Sequence, residues 1–528
     1  MHRIIDKTEF SIQWAFAEIR IHLSTDLVRL AEKFRDHMLA NLDPSIQLSN
    51  VELLFKFIET AHLNAHRCDL SLRITSECFT ILTQAHLKHQ DPHLHFPKTI
   101  KNIPLSNALS LYYRVCQSLQ RAKLTSKQDS PSALLQQASN GTAKLLCLFG
   151  GQGNTDDLLK ELVELDTTYH PICRPFMQAV TRGLDGIKCE QFEASMTGTD
   201  FLQWIDDSEA RPTKEHVLNA AISMPLIGLI QLTNVYINYH ILGLSFQEYQ
   251  EKFSEVTGHS QGIISAAVFS ASTSEESFVT NANIALKVLK IMGDVCMRVF
   301  PPEPLSPRML TGSTESDEGM ATSMLAIHLL RLNKVQHYVD MANNTLSETE
   351  RIQVALVNGP FSCVCAGPCN SLYGLAELLR QDFSSERLDQ AKIPFTERKR
   401  RISMRFLPIK VPFHSLYLNQ AVALIVAKCK AQGLAFELDQ LMVPLRAQDT
   451  GKTSLYNRQF TLVGERMEYL SKDGFLHDLV EQICVRRVDW RATIEKSNCT
   501  HILDHGPGNE SGVGALTSRQ VQGRGIQV

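Results

Sequence analysis

The chain has 528 residues, of which 44% are hydrophobic and 21% charged, a balance typical of a globular protein with about two to four domains. Its 53 basic and 56 acidic residues give a formal net charge of −3, which speaks against a nucleic-acid-binding protein. The 13 cysteines are scattered and the N-terminus lacks the apolar core of a signal peptide, so we expect free thiols, a cytoplasmic location and no membrane partner.

Residues 1–123 are predicted to form a helical N-terminal region. The segments WAFAEIRIHLSTDLVRLAEKF, residues 14–34, and VELLFKFIETAHL, residues 51–63, both carry apolar residues at helical spacing. A polar stretch follows, and we interpret residues 124–143 as a linker.

The next segments predict an α/β core. LLCLFGGQGN, residues 145–154, is a short apolar strand that runs into a glycine turn, an arrangement that often precedes a helix in an α/β sheet. Residues 220–244 contain no charged residue and are long enough to cross a membrane. They also contain Gln231 and Asn234, among other polar residues that are costly in hydrocarbon, so we predict a buried helix.

The segment VTGHSQGI, residues 256–263, contains a G-x-S-x-G frame formed by Gly258, Ser260 and Gly262. In a nucleophile elbow the two glycines allow a tight strand-to-helix turn that exposes the serine. The N–H group of the following residue, here Gln261, then points at the oxyanion of the reaction. The same frame also occurs at ordinary strand–turn–helix junctions, so the motif alone does not decide the matter.

Residues 320–412 have their own pattern of elements. Strand-like and helix-like segments follow one another in the order βαββαβ, which is the ferredoxin-like pattern. We therefore predict a ferredoxin-like subdomain inserted into a larger α/β core, which comprises residues 144–319 and 413–528.

A reactive serine needs a base within hydrogen-bond reach, and three histidines are candidates. His259 is adjacent to Ser260 and normally points away from the serine of an elbow. His505 follows Asp504 late in the chain, where an α/β-hydrolase places its histidine. His414, in VPFHS, directly follows the predicted insertion. Each of these could instead be a structural histidine.

Six motifs together resemble the acetyltransferase region at the start of the fungal type I fatty acid synthase β subunit, in both order and spacing. They are LFGGQGN, TGHSQG, LVNGP, IPFTERK, RFLPIKVPFHS and HILDHGPG. The resemblance covers roughly residues 140–528. It implies the fold of bacterial malonyl transacylases, which have a hydrolase-like α/β core with a parallel sheet and a ferredoxin-like insertion.

The resemblance also implies a ping-pong acyl transfer from acyl-CoA to the phosphopantetheine thiol of an acyl carrier protein, with no bound cofactor and no metal. Ser260 would carry the acyl group and His414 would be the general base. The main-chain N–H groups of Gln152 and Gln261 would hold the oxyanion. A main-chain carbonyl orients the histidine in this family, and we expect it in the loop of residues 504–508. No carrier motif is evident in the chain, so the carrier, or a synthase α-type subunit, is expected in trans.

The choice of acyl group is predicted from the helix after the elbow. Malonyl-selective relatives carry an arginine there, which pairs with the free carboxylate. We place that position at Met292, on an apolar face that extends from Phe278 to Val299, so a neutral acyl group is favoured. Acetyl is the default, and longer starters such as hexanoyl stay open. Met292 could also be plain core, and Asn358 in LVNGP could be either a residue of the substrate pocket or a turn asparagine.

Two other functions stay open at this stage. One is a serine thioesterase that uses Ser260 with His505, and the other is a non-catalytic docking part of a synthase. The histidine-rich segment HLKHQDPHLH, residues 86–95, is interpreted as a solvated loop rather than a zinc site. The basic residues 398–401 could meet CoA phosphates or form a solvated turn. The fungal subunit would continue beyond Val528, so we expect either a stand-alone transferase or part of a larger synthase.

Overall fold

The computed structural model describes most of the chain, in ten stretches: residues 7–64, 69–88, 92–122, 132–153, 158–187, 199–383, 402–436, 441–449, 472–508 and 512–528. These residues form two compact units. The first unit holds the described residues of 1–131 together with 163–175 and 240–243, and the second unit holds the others. The domain boundaries predicted from the sequence stay a prediction.

The first unit begins with an antiparallel hairpin and continues with helices. Its elements before residue 131 are β1 (Lys7–Trp14), β2 (Ala17–Ser24), α1 (Thr25–Ala40), α2 (Asn50–Leu63), α3 (Asp69–Ile81), α4 (Pro92–Thr99) and α5 (Leu105–Arg121).

The helix predicted over residues 14–34 is wrong in its first half, because β2 occupies that segment. Ile19, Ile21 and Leu23 are buried while the residues between them are exposed, which is the period of two that a strand requires. Only from Thr25 onward does the helical spacing apply.

The loop predicted for the histidine-rich segment is also wrong where the structure describes it. Helix α4 begins at Pro92, and His93 is half-buried. Its Nε2 lies 2.8 Å from the hydroxyl oxygen of Tyr113 and 3.1 Å from that of Tyr169. Residues 89–91 lie outside the described part. Within that part, no three histidine, cysteine or acidic side chains come together as a metal site would require.

The core elements before the insertion alternate between helices and two of the parallel strands. They are α6 (Ala133–Ser139), β3 (Leu145–Phe149), α7 (Leu158–Val180), α8 (Phe201–Asp206), α9 (Lys214–Val217), α10 (Ala220–Ile241), α11 (Phe246–Gln250), β4 (Phe253–Gly258), α12 (Gly262–Ala271), α13 (Glu275–Val299) and α14 (Pro307–Glu315). Helix α6 lies within the predicted linker, and residues 123–131 are outside the described part.

The insertion has the predicted βαββαβ order. Its elements are β5 (Met324–His328), α15 (Leu332–Asn343), β6 (Gln353–Gly359), β7 (Ser362–Ala366), α16 (Cys369–Phe383) and β8 (Ser403–Phe406). The four strands lie side by side in the order β6-β7-β5-β8, and each strand is antiparallel to its neighbour. This is the strand order of a ferredoxin-like fold, so the predicted subdomain is confirmed.

The last part of the chain returns to the core. Its elements are α17 (Asn419–Ala431), β9 (Leu445–Arg446), α18 (Lys472–Cys484), β10 (Val488–Asp489), α19 (Trp490–Glu495), β11 (His501–Asp504) and α20 (Val513–Val521). Strand β10 pairs in parallel with β6, so it adds a fifth strand to the sheet of the insertion.

The core sheet contains four parallel strands in the order β11-β3-β4-β9. Strand β3 is buried along its whole length, as expected for a parallel strand covered on both faces. Because all four strands run the same way, the loops after β3, β4 and β11 leave from one edge of the sheet. In open α/β sheets this edge is where ligands bind. The predicted α/β fold class is confirmed.

The long apolar segment forms helix α10, as predicted, and its side chains are buried inside the protein. Of the described helices, it is the one with the length and hydropathy that a membrane span requires. Since 89% of its most apolar window is buried in the core, its hydrophobicity is explained by packing.

Candidate active site

Ser260 lies on a tight turn between β4 and α12, with its backbone in the left-handed region at φ +54°. A Cβ atom on Gly258 would lie 2.0 Å from the carbonyl carbon of Gly262. A Cβ on Gly262 would lie 2.4 Å from the carbonyl oxygens of Phe149 and Gly150. Neither position has room for a side chain, so the two glycines of the motif are a steric requirement of this turn. The arrangement is the predicted strand–elbow–helix.

The structure places His414 at Ser260. The serine Oγ lies 2.8 Å from His414 Nε2, although the two residues are far apart in sequence. His414 also has a left-handed backbone, at φ +61°, and its main-chain N–H donates to the carbonyl of Ile483 at 3.2 Å. Non-glycine residues held at positive φ are uncommon and concentrate at functional sites.

Two main-chain carbonyls orient the ring of His414. Its Nδ1 lies 3.0 Å from the carbonyl oxygen of Gln482 and 2.9 Å from that of Arg486. A carbonyl can only accept, so Nδ1 carries the proton and Nε2 presents its lone pair to the serine hydroxyl. The expectation that residues 504–508 supply this carbonyl is wrong. Gln482 lies in the last turn of helix α18, where carbonyls lack intrahelical donors, and Arg486 lies in the turn that follows the helix.

Burial lowers the pKa of His414 from 6.5 to about 4. The imidazole is 2% exposed, and the loss of hydration outweighs the opposing hydrogen bonds to Arg486 and Gln482. The neutral form therefore dominates at pH 7, which is the form that can accept a proton from Ser260.

Two main-chain N–H groups next to the serine are available as donors. In the described part of the chain, neither the N–H of Gln152 nor that of Gln261 has an acceptor. The loop of Gln152 runs against the nucleophile, since a Cβ on Gly151 would lie 2.7 Å from the Cβ of Ser260. Main-chain N–H groups without partners are rare in proteins, and a pair beside a serine can stabilise an oxyanion.

Helix α10 anchors both of these glutamine side chains. Gln152 Nε2 donates to the hydroxyl of Ser223 at 2.8 Å, and Gln261 Nε2 donates to the carbonyl of Met224 at 2.9 Å. With the side chains fixed on the helix, the main-chain N–H groups of the two turns are held in place as well.

The polar residues of α10 also hold the loops that leave the sheet. The side-chain amide of Gln231 donates to the carbonyls of Gly150 (2.6 Å) and Gly506 (3.0 Å). Asn234 donates to the carbonyl of His505 at 3.1 Å. Gln231 and Asn234, the polar residues that speak against a membrane span in α10, therefore hold the loops after β3 and β11 in place.

We expect Gln231→Leu to lower the free energy of unfolding by about 1–3 kcal/mol, because it leaves the carbonyl of Gly150 without its donor and the hydroxyl of Ser265 without its acceptor. Thr233→Val is the matched control on the same helix. The buried Thr233 hydroxyl has no hydrogen-bond partner among the described residues, so its removal should be neutral or slightly stabilising. Chemical denaturation of both variants measures the difference. Equal stability of the two would show that Gln231 does not hold these loops.

His259 and Asn358 form a second polar pair near the nucleophile. His259 Nε2 lies 2.9 Å from Asn358 Oδ1, and its ring packs against Trp490 at an interplanar angle of 75° and a centroid distance of 5.1 Å. Burial lowers the pKa of His259, although the hydrogen bond that its ring donates to Asn358 Oδ1 opposes the shift. Asn358 thus contacts the residue before Ser260, and its predicted role toward substrate stays a prediction.

His505 does not approach the nucleophile through either ring nitrogen. Its Nδ1 lies 3.5 Å from Cys147 Sγ, and its Nε2 lies 3.1 Å from the hydroxyl of Tyr249. The ring is 1% exposed and stacks on Phe149. His505 is therefore a buried structural histidine. It cannot act as the base for Ser260 in this structure, which speaks against the thioesterase alternative.

Met292 is fully buried in α13 among the other apolar residues of its face. Two cations of this helix have other partners. Lys290 Nζ donates to the carbonyl of Leu184 at 3.0 Å, and Arg298 pairs with Asp294 at 3.3 Å. The influence of Met292 on the choice of acyl group stays a prediction.

A cavity of about 860 Å³ opens next to the elbow. Its described lining comes from the core, including Gly151, Gln152 and His259, and from the insertion, including Leu356 and Asn358. The volume is in the range of small-molecule sites. Met292 is not among these lining residues. The basic residues 398–401 lie outside the described part.

Comparison with known proteins agrees with the resemblance. Residues 147–400 match the family "SAT: Starter unit:ACP transacylase in aflatoxin biosynthesis". The fatty acid synthase subunit beta of Saccharomyces cerevisiae is 33% identical over 86% of this chain and 22% of its own length. The Schizosaccharomyces pombe subunit is 35% identical over 81% of this chain and 19% of its own length. The Cochliobolus carbonum beta subunit TOXC is 29% identical over 99% of this chain and 25% of its own length.

Among solved structures, an acyl carrier protein S-malonyltransferase from Vibrio cholerae aligns with 16% identity over 73% of this chain and 97% of its own, at a TM-score of 0.47. This chain spans about a fifth to a quarter of the length of the fungal relatives. The sequence matches confirm the predicted resemblance to the acyltransferase region of the fungal β subunit, and acyl transfer is the reaction that the family description names.

Proposed function

We propose that this chain, as a relative of the acyltransferase region of fungal fatty acid synthase β subunits, moves an acyl group from CoA to an acyl carrier protein. In the first half-reaction Ser260 Oγ attacks the thioester carbonyl and gives its proton to His414 Nε2. The tetrahedral intermediate collapses to an acyl-serine, and His414 returns the proton to the departing CoA thiolate. In the second half, His414 takes the proton of the carrier's pantetheine thiol, and the thiolate removes the acyl group.

The observation that carries this proposal is the 2.8 Å contact between Ser260 Oγ and a buried, neutral His414. The carbonyls of Gln482 and Arg486 also support the reaction, because they stabilise the positive charge that the ring acquires in each half-reaction. The main-chain N–H groups of Gln152 and Gln261, which have no acceptor among the described residues, would bind the oxyanion.

For the acyl group, we propose a neutral starter unit, with acetyl as the first choice. A malonyl group would need a cation for its carboxylate. The side chain at the predicted position is the uncharged Met292, and Arg298 and Lys290 of the same helix have other partners, so none of these three side chains offers a cation to a carboxylate. Longer neutral chains such as hexanoyl fit the same argument.

We also propose a carrier protein supplied by another chain, a cytoplasmic location, and chemistry without a bound cofactor or metal. The eleven cysteines in the described part are all free thiols, which suits a reducing compartment. Acyl loading that persists unchanged in EDTA would support the proposal for metals, and loss of loading that Zn²⁺ restores would contradict it.

The test is intact-protein mass spectrometry after incubation with acetyl-, hexanoyl- and malonyl-CoA. We expect an adduct of the acyl mass from a neutral CoA, and its transfer to a phosphopantetheinylated carrier protein when one is added. Preferential loading of malonyl would contradict the proposed starter. Steady release of CoA without an adduct would indicate a hydrolase.

The control for this test is the loss of the adduct in Ser260→Ala. Because Ser260 has a positive φ, alanine is strained there, so Ser260→Gly serves as a second variant that tolerates the backbone. Both should stay unmodified while remaining folded. An adduct in either variant would place the acyl group on another residue.

The pH dependence of acylation should reflect the low pKa of His414. The reaction needs the neutral ring, and burial lowers its pKa from 6.5 to about 4, so activity should be present above that pKa and lost as the pH falls through it. We expect kcat/KM for acylation to be nearly flat from about pH 5 to 8. Stopped-flow assays with circular dichroism at each pH separate titration from acid unfolding. A decline centred near pH 6.5 would contradict the assignment.

A further inference from the structure

The cavity beside the elbow is strongly cationic, although the chain as a whole carries a net charge of −3. Its described lining includes four basic side chains, Lys214, Arg405, Lys410 and Arg519, and one carboxylate, Glu215. Positive charge is thus concentrated at the cavity that adjoins Ser260. A cavity lined by one sign of charge attracts ligands of the opposite sign.

The two arginines reach the cavity from different parts of the fold. Arg405 lies on β8, an edge strand of the insertion, and Arg519 lies on α20 of the core. His328, at the end of β5, shows that the two parts are close. Its pKa is lowered first by burial and second by the positive charge of Arg519.

Neither arginine has an ion-pair partner among the described residues. Lys410 pairs with Glu215 at 3.0 Å, but no carboxylate in the described part pairs with Arg405 or Arg519, and both side chains are exposed. An ion pair within the described part of the chain therefore does not explain these two arginines. Two unpaired guanidinium groups at one cavity suit a ligand with several phosphates, which arginine binds through paired hydrogen bonds.

We propose that Arg405 and Arg519 bind the phosphate groups of CoA at this cavity. The inference rests on the proposed function and adds the residues that recognise the nucleotide end of the substrate. The apolar walls, which include Leu218, Leu356 and Leu407, suit the uncharged pantetheine arm. His259 and Gly151 line the cavity and lie next to the nucleophile, where the thioester has to arrive.

The test compares acetyl-CoA with acetyl-pantetheine, which has the same thioester and arm but no phosphate. In the double variant R405Q/R519Q, we expect the KM for acetyl-CoA to rise about tenfold or more, with the KM for acetyl-pantetheine unchanged. The matched control is Arg351→Gln, an exposed arginine of the same subdomain that is not among the described lining residues. It should leave both KM values unchanged.

Three results would overturn the assignment. An equal rise of KM for acetyl-CoA and acetyl-pantetheine in R405Q/R519Q would mean that the two arginines have a structural role. An unchanged KM for acetyl-CoA would mean that the arginines do not meet phosphate. A rise of KM for the carrier protein alone would mean that they face an acidic protein surface instead.

Calorimetry with the Ser260→Ala protein separates this inference from the proposed function, because binding of CoA requires no acylation. We expect CoA to bind more tightly than pantetheine, and R405Q/R519Q to remove that difference. Raising the salt concentration should weaken CoA binding in the parent protein. If Ser260 is never acylated but this binding preference is present, the phosphate site stands and the proposed reaction fails. Equal binding of CoA and pantetheine would overturn the phosphate site.

Discussion

Replacing His414 with alanine is expected to lower the rate of Ser260 acylation by about 10²–10⁴-fold. Without Nε2 at 2.8 Å, the serine hydroxyl has no base to take its proton, and the departing thiolate has no acid. Rapid-quench mass spectrometry of the acyl-serine measures this rate directly. KM for acyl-CoA should change far less than kcat, since the histidine acts on the reacting atoms and does not hold the nucleotide.

The backbone of His414 complicates this experiment, and a second variant resolves it. At φ +61° alanine is strained, whereas asparagine adopts the left-handed region more readily. His414→Asn should therefore fold like the parent protein and still lose the base. If His414→Asn keeps full activity while His505→Asn loses it, the assignment of the base is wrong and the thioesterase alternative returns.

Gly151→Ala is expected to have an effect of similar size from a residue that takes no part in the chemistry. The new methyl group would lie 2.7 Å from Ser260 Cβ and 2.8 Å from the carbonyl oxygen of His259, so the nucleophile or the loop has to move. A displacement of about 1 Å costs on the order of 10²-fold in rate. Acylation should fall by that factor or more. Thermal unfolding reports whether the fold survives.

Gly153→Ala is the matched control, because it adds the same methyl group two residues further along the loop. A Cβ at Gly153 meets no described atom within 4 Å, and its backbone φ is not in the left-handed region. Its rate and stability should equal those of the parent protein. Equal losses in both variants would mean that the loop as a whole resists substitution, and that the contact with Ser260 is not the cause.

Local patterns were sufficient for several elements of the fold. The continuous apolar run of β3, the helical spacing of α13 and the βαββαβ order of residues 320–412 each depend on neighbours in sequence, and each was predicted. The hairpin at residues 7–24 shows the weakness of the method. Its apolar residues fit both a helical and an alternating spacing over a short window, and only pairing between β1 and β2 decides between them.

The sequence by itself determined the nucleophile turn and the kind of protein. Gly258, Ser260 and Gly262 describe a turn whose steric demands are local, and six motifs carried the resemblance to an acyltransferase. The tertiary structure decided which of three histidines meets Ser260. It also decided that the end of α18 and the turn after it, rather than residues 504–508, hold the ring of that histidine. It also brought Arg405 and Arg519 to one cavity. The physical reason is that hydrogen bonds and charge pairs between distant segments depend on the packing of whole elements, which no local spacing records.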